Sequence, residues 1–401
     1  MTTIPLSVAD RTALDSMGTP EVRRSTSAYR RADIIMIIGA ATAALSMTAL
    51  LATRLIPAVN LGGFVVIAYL LFLVLYGVLV SLDHDGRALR DRLASVFVHS
   101  LTAVMLFALL LVTGFTFWRA REALGHLNFF TTDMRLAGPL DPLTRGGILH
   151  AVAGTLIEIT IALLITVPLG LACAVYLNEA KGTLPRFVRT VVEAMTALPS
   201  ILAGVFIYAS VVLTLGWTRS GLAAGLAISV MTLPIIIRAS DVVIRLVPGS
   251  LREASFAMGA PQWRTVWHVV LPTARSGLTT AVLLGTARGI GETAPVLATA
   301  GFGSSLNLDP TSGPMVSLPL ATYVFSQSPE HTMIVRAFGA GAVLLVLVLV
   351  LFALARLFGG RGAGELSARA QRNHARESQR DLARFTSRHH VAAQRDAGHG
   401  S

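Results

Sequence analysis

Charge is scarce in this sequence. Only 14% of its 401 residues are Asp, Glu, Lys or Arg, where a soluble domain carries roughly a quarter. A soluble chain of this length would form two or three domains, each needing a charged coat. There is too little charge to supply them. Cysteine is nearly absent too: Cys173 stands alone, which excludes an intrachain disulfide. Lysine is reduced to Lys181, in Ala180-Lys181-Gly182. The long apolar runs lack the strict alternation of barrel strands and exceed their length. Within those runs there is no His-x-x-x-His pair and no Ser/His/Asp set, so nothing in them marks a membrane enzyme.

What is present is apolar: 53% of the chain is hydrophobic. Eight stretches, at 34–56, 59–82, 93–118, 148–177, 191–216, 221–238, 275–300 and 335–358, can each cross about 30 Å of hydrocarbon as a helix rising 1.5 Å per residue. The expected class is an all-α polytopic membrane protein with about eight transmembrane helices. The fifth to seventh stretches carry prolines, glycines or charges, so their ends are the least defined.

Orientation follows from counting. Residues 1–33 are polar, with Arg23, Arg24, Arg30 and Arg31 near the first run and no early apolar segment ahead of a cleavage site. They read as a cytoplasmic tail. Eight crossings then put 25 Lys and Arg on the inside and seven on the outside, with Arg288 left within a span. That asymmetry predicts cytoplasmic termini. It also accounts for the net charge of +11 without a nucleic-acid partner. Trp118 and Trp217 fall at outer span ends, where indoles favour the interface. The tail 359–401 is rich in Arg and His and reads as solvated or drawn to lipid headgroups. His374, His389, His390 and His399 have no Cys beside them to complete a metal site. Neither metal nor cofactor is expected.

The longest inside loop reads Glu253-Ala254-Ser255-Phe256-Ala257-Met258-Gly259, nine further residues, then Val269-Val270-Leu271-Pro272. Small residues there permit close helix packing, and Gly259 with Pro261 ends one short helix and opens another. Trp263, Trp267 and Val270 recur at helical spacing, predicting an apolar face. Two tryptophans on a cytoplasmic helix need a cover. It is either the chain's own membrane domain or a groove on a partner.

This loop resembles the EAA loop of ABC importer permeases, with Ser255 for the second Ala and Val269 for Ile. Residues 148–358 resemble the five-span core of the type I (MetI-like) fold. Local strings are similar to phosphate permeases of the PstA family: Val167-Pro168-Leu169-Gly170 with Tyr176-Leu177-Asn178-Glu179; Leu198-Pro199-Ser200; Leu233-Pro234 through Arg238; Arg288-Gly289-Ile290-Gly291-Glu292-Thr293-Ala294-Pro295; and Ser317-Leu318-Pro319-Leu320. The resemblance implies a permease subunit for inorganic phosphate. Its implied partners are a PstC-type permease, a pair of PstB-type ATP-binding subunits and a PstS-type phosphate-binding protein. Coupling to the ATPase would run through Glu253, Ala254, Gly259, Trp263, Trp267, Leu271 and Pro272. A P-loop needs Gly-Lys-Ser/Thr after a glycine-rich turn, and Lys181 does not provide one, so hydrolysis is expected on another polypeptide. An importer of molybdate, sulfate or an organic solute is the alternative, a non-transporting scaffold a more distant one. The implied organisation is a tail at 1–33, an extra transmembrane hairpin at 34–92, a leading span with outer segment at 93–147, the core at 148–358 with its EAA loop at 251–272, and a basic tail at 359–401. The outer loop 301–334 is expected to help dock the binding protein and to form a partly re-entrant gate.

Three charges stand well away from the ends of their spans: Glu158, Arg288 and Glu292. Arg288 and Glu292 are four residues apart and would share a helix face. An intramembrane pair is costly and usually faces a cavity or the bundle interior. It either locks the helix or offers the planar arginine fork to an oxyanion, with Glu292 weakening the hold. Glu158 stands midway along the fourth span and could pair with Arg288 or serve as a structural hydrogen-bonding acid. Pro199 and Pro234 are expected to kink their helices.

Overall fold

The computed structural model describes residues 31–54, 60–83 and 86–359, with the isolated positions 373 and 378. Apart from their innermost ends and those two positions, the expected tails 1–33 and 359–401 lie outside the described residues. The chain divides into two compact units, 1–110 and 111–401. Among the described residues every regular element is helical, as the missing alternation predicts.

The first unit contains α1 (Arg31–Arg54), α2 (Leu61–Asp83) and α3 (Gly86–Leu124) as far as Leu110. Its core is small: Ala40, Tyr76 and Val80 are buried, flanked by Phe72, Leu89 and Leu93. Phe72 stacks on Tyr76, and the Tyr69 and Ser100 hydroxyls share a hydrogen bond. Ile35, Leu50, Val65 and Val74 point outward. A helix hydrophobic all round has lipid as its natural surroundings.

The second unit holds the end of α3, a short α4 (Asn128–Thr131), α5 (Leu149–Glu179) and a broken pair, α6 (Thr183–Thr196) and α7 (Ser200–Ile207), the latter continued by a π-helix, π1 (Tyr208–Thr214). Next come α8 (Gly221–Arg245), α9 (Gly249–Ala257), α10 (Gln262–Thr265), a second π-helix, π2 (Val266–Val270), α11 (Leu271–Ile290), α12 (Ala294–Thr299), α13 (Leu318–Ser326) and α14 (His331–Gly359). Among the described residues six helices are long and apolar enough to cross a bilayer, and the bent pair makes a seventh crossing if counted as one span. The remaining expected span, 275–300, is shared by α11 and α12. Arg275, Ser276, Thr279, Thr280, Thr286 and Arg288 make α11 too polar to stand alone in lipid, and it packs on α8 and α14.

The expected span 191–216, with its kink at Pro199, is a broken pair of helices bent by 103°. Pro199 brings no N–H and disfavours helical backbone at Leu198, so α6 stops at Thr196 and the chain restarts at Ser200. α6 is amphipathic, burying Pro185 and Val192 while Arg186 and Glu193 stay exposed. That pattern suits a helix lying along an interface. Pro234, by contrast, sits within continuous α8.

Glycines hold the bundle together, as expected where lipid supplies no hydrophobic drive between helices. A Cβ on Gly285 would lie 2.4 Å from Ile236, one on Gly289 2.8 Å from Thr232, and one on Gly277 2.5 Å from Val243. These contacts fix the α8–α11 register. A Cβ on Gly204 would lie 2.5 Å from the Pro295 backbone, locking α7 to α12. Near the start of α5, a Cβ on Gly154 would lie 2.2 Å from the Val316 carbonyl oxygen. Only glycine there lets the segment before α13 sit against α5.

Candidate functional site

Arg288 occupies the last turn of α11, and Gly291 caps the helix. The expectation of one shared helix face is therefore corrected: Glu292 lies beyond the helix end. Gly289 and Gly291 weaken the helix, and Pro295 suits the first turn of a new one. The two side chains still meet, Arg288 Nε lying 3.6 Å from Glu292 Oε1. The pair is lopsided, with the Glu292 side chain 12% exposed and that of Arg288 56% exposed. Arg288 opens into a groove of about 460 Å³, whose walls include Thr196, Met231, Arg238 and Leu284. Arg238 is a second cation in that groove, and its Nη1 donates to Thr196 Oγ1 at 3.4 Å. The glycine register places Arg238 five residues farther along the α8–α11 pair than Arg288, about 8 Å toward the loop end. Arg238 ends the Leu233-Pro234 string, which by itself assigns the residue no role.

Glu158 does not pair with Arg288. It is buried and faces the Ser317 hydroxyl. Ser317 is the N-cap of α13. One turn away, Thr155 Oγ1 accepts from Leu318 N at 2.7 Å. The Ser317-Leu318-Pro319-Leu320 string is thus where α13 docks on α5.

The loops 132–148 and 301–317 are organised by residues that no sequence motif singles out. Arg336, one of the seven basic residues expected on the outside, is fully buried in α14. Its Nη2 donates to the carbonyls of Asp141, Pro142 and Arg145 at 3.2, 3.0 and 2.8 Å. A lone arginine at the start of an apolar span was the available signal. Asp133 accepts from the Leu306 and Arg135 backbone N–H groups, and the Leu306 bond chiefly holds its carboxyl below the usual range. Asp309 accepts from the hydroxyls of Ser312 and Thr311 and from the Thr311 N–H, which lower its pKa to about 2.

At the opposite end of the bundle, the loop forms α9, a turn, α10 and π2. Gly259 takes φ +78°, a conformation glycine adopts freely. Ala254 lies exposed on α9. Ser255 and Thr265 share a 2.8 Å hydrogen bond across the turn. Trp263 and Trp267 are 59% and 66% exposed, flanking a groove of about 390 Å³ walled also by Tyr176, Glu179 and Gln262. The expected single apolar face is corrected: Val270 is buried with Ile244 and Ala274. The π-helix, bonded i→i+5, turns Val270 inward while the tryptophans stay outside. Leu271 and Pro272 open α11. Glu253 is exposed and forms no ion pair among the described residues. Its neighbour Arg252 makes the attachment instead, with Nη1 3.1 Å from Glu179 Oε1. Gln262 Nε2 donates to Glu179 Oε2 at 3.2 Å. Beside them, Asp241 takes Arg245 at 2.7 Å and Arg189 at 3.3 Å, and accepts from Asn178 Nδ2 at 2.8 Å.

Comparison with known proteins agrees with this architecture. Residues 166–361 match the family described as the binding-protein-dependent transport system inner membrane component. The chain is 37% identical over 263 residues to phosphate transport system permease protein PstA 1 of Mycobacterium tuberculosis (strain CDC 1551 / Oshkosh), covering 65% of this chain and 86% of that one. It is 36% identical over 263 residues to PstA of Mycobacterium leprae, with the same coverage of 65% and 86%. Against PstA of Pasteurella multocida it is 36% identical over 219 residues, covering 54% of this chain and 78% of that one. With its EAA-like loop and its glycine-packed helices, this multi-pass membrane chain belongs to the PstA family of phosphate transport system permease proteins.

Proposed function

We propose that this chain is a permease subunit of an ATP-driven importer and carries inorganic phosphate inward through the Arg288 groove. The observation that carries the reading is the lopsided pair. A guanidinium facing an open groove, with its carboxylate 3.6 Å away and mostly buried, can offer its fork to an oxyanion. Glu292 weakens that hold so the anion can leave. A pair that only locked the helix would bury both members.

Energy supply fits the same reading. Drawing an anion inward against an inside-negative potential costs about 2.3 kcal/mol per charge per 100 mV, and divalent phosphate doubles that. A passive pore would run the wrong way. The chain lacks a Walker A sequence, so ATP hydrolysis is assigned to a pair of PstB-type subunits. The exposed Trp263 and Trp267 favour burial in a groove on that partner over burial on this chain. Glu253, Ala254, Gly259, Leu271 and Pro272 frame the same contact. A PstC-type permease completes the pathway, a PstS-type protein delivers phosphate at the outer loop 301–334, and both termini lie in the cytoplasm. The extra hairpin 34–92 is assigned to lipid contact or assembly.

The test is ATP-dependent phosphate uptake into proteoliposomes holding the complete complex with its binding protein. Wild type is expected to accumulate phosphate. Arg288→Lys and Glu292→Gln are each expected to lower the rate at least tenfold. Undiminished uptake by both overturns the role of the pair, and absence of phosphate uptake by wild type overturns the function.

A further inference from the structure

We propose that Glu179 is a positioning residue that ties the ATPase-facing loop to α5, and that α5 carries the loop's movement to the outer gate. The inference rests on the proposed role of the loop in contacting an ATPase.

Glu179 is the last residue of α5, and two arms of the loop converge on it. Arg252 comes from α9, before the Gly259 turn, and Gln262 from α10, after it. One carboxylate oxygen takes Arg252 at 3.1 Å and the other takes Gln262 at 3.2 Å. Gln262 also reaches the Glu179 carbonyl at 3.3 Å, and Arg252 Nη2 donates to the Ile244 carbonyl at 3.2 Å. A single side chain therefore holds both sides of the hinge. The ion pair is shielded, with side-chain exposures of 16% for Glu179 and 21% for Arg252. Such a pair is screened less by salt than a surface one. Next to it, Asn178 ties the same helix end to Asp241 on α8.

The other end of α5 is tied just as directly. Thr155 accepts from the first N–H of α13, and Gly154 lets Val316 close onto the helix. From Thr155 to Glu179 is 24 residues, about 36 Å of helix. The helix is unbroken over that distance despite Pro168. Tilting the loop must therefore tilt a helix whose far end carries the re-entrant segment. The tryptophan groove shares Glu179 as a wall, so the partner's seat adjoins the clamp. Glu253, the residue a motif reading selects, makes no such link.

The experiment measures phosphate moved per ATP hydrolysed by the reconstituted complex with saturating binding protein. The variants are Glu179→Arg, Arg252→Glu, the double exchange, and Glu179→Gln. Each charge-reversing single variant is expected to keep ATP hydrolysis while lowering the phosphate-to-ATP ratio at least fivefold. The double exchange restores the ion pair and is expected to return the ratio to within twofold of wild type. Glu179→Gln keeps the shape and one hydrogen-bonding oxygen, and is expected to fall about two- to threefold; it serves where a reversed charge prevents assembly. Two results overturn the inference while leaving phosphate transport intact: uptake and hydrolysis fall together at a constant ratio, or the double exchange is no better than either single variant. Loss of uptake in the wild-type complex would instead overturn the underlying function.

Discussion

The two units solve the same solvent problem differently. In the first, α1 and α2 are apolar all round, and only 17% of the most apolar window of each is buried. In the second, α8 buries 61% of its window and does so through glycine contacts with α5 and α11. Lipid is as apolar as leucine, so hydrophobicity alone does not choose between a helix's partners. Close backbone approach and buried polar bonds do. The first unit has few of either, while the second has many and keeps its charges at chosen depths. Specificity in this chain is written in small and polar residues.

Glycine substitutions break that contrast most severely. Gly154→Ala puts a Cβ 2.2 Å from a backbone carbonyl oxygen. Backbone cannot yield as a flexible side chain can, and overpacking of a filled core typically costs about 1–3 kcal/mol or more. Phosphate uptake is expected to fall at least tenfold, or the protein to stop accumulating in the membrane. Gly39→Ala in the first unit meets nothing within 4 Å and is expected to leave uptake and yield unchanged. Near-normal uptake by Gly154→Ala would show that the close approach of Val316 to α5 is not needed for transport.

Arg336→Met is expected next in size. It strips three carbonyls of their shared donor. Hydrogen bonds to a charged group contribute about 1.5–3 kcal/mol each, and the bared acceptors add a desolvation cost. A fall of several degrees in thermal unfolding of the purified complex checks this. An unchanged transition would mean that the loop 132–148 is held by other contacts. Thr155→Val should show a smaller drop of the same kind, about 1–3 kcal/mol, for the buried Leu318 N–H left without an acceptor.

How much of this was legible beforehand follows the same division. Long apolar runs and the arginine bias announce crossings, because hydrocarbon thickness and charge placement act on sequence composition directly. The EAA-like spacing announces the loop, because a short helix, a glycine turn and a second helix are local features. Residues that meet across the fold were illegible. Nothing in the sequence says that Glu179 meets both Arg252 and Gln262, which lie 73 and 83 positions on. Glu158 looked like a partner for Arg288 because both stand within apolar stretches, yet it is buried beside the serine that precedes α13. The break at Pro199 was half legible: proline signalled a disturbance but not a 103° turn. Trp263, Trp267 and Val270 misled because a helical period was assumed where the backbone widens to a π-helix.

The smallest effect is expected from the largest alteration. Deleting 34–82 removes two crossings, an even number, so the orientation of every later segment is preserved under the charge rule. The helices removed carry no intramembrane charge, and none of their residues belongs to the groove, the loop or the outer gate. Uptake per complex is therefore expected to stay within twofold of wild type, although the amount of complex in the membrane can fall. Measuring uptake normalised to purified complex separates those two quantities. A tenfold loss at constant amount of complex would show that the hairpin takes part in transport itself. The contrast between a lipid-facing unit and a working one would then fail, despite the sparse packing on which it rests.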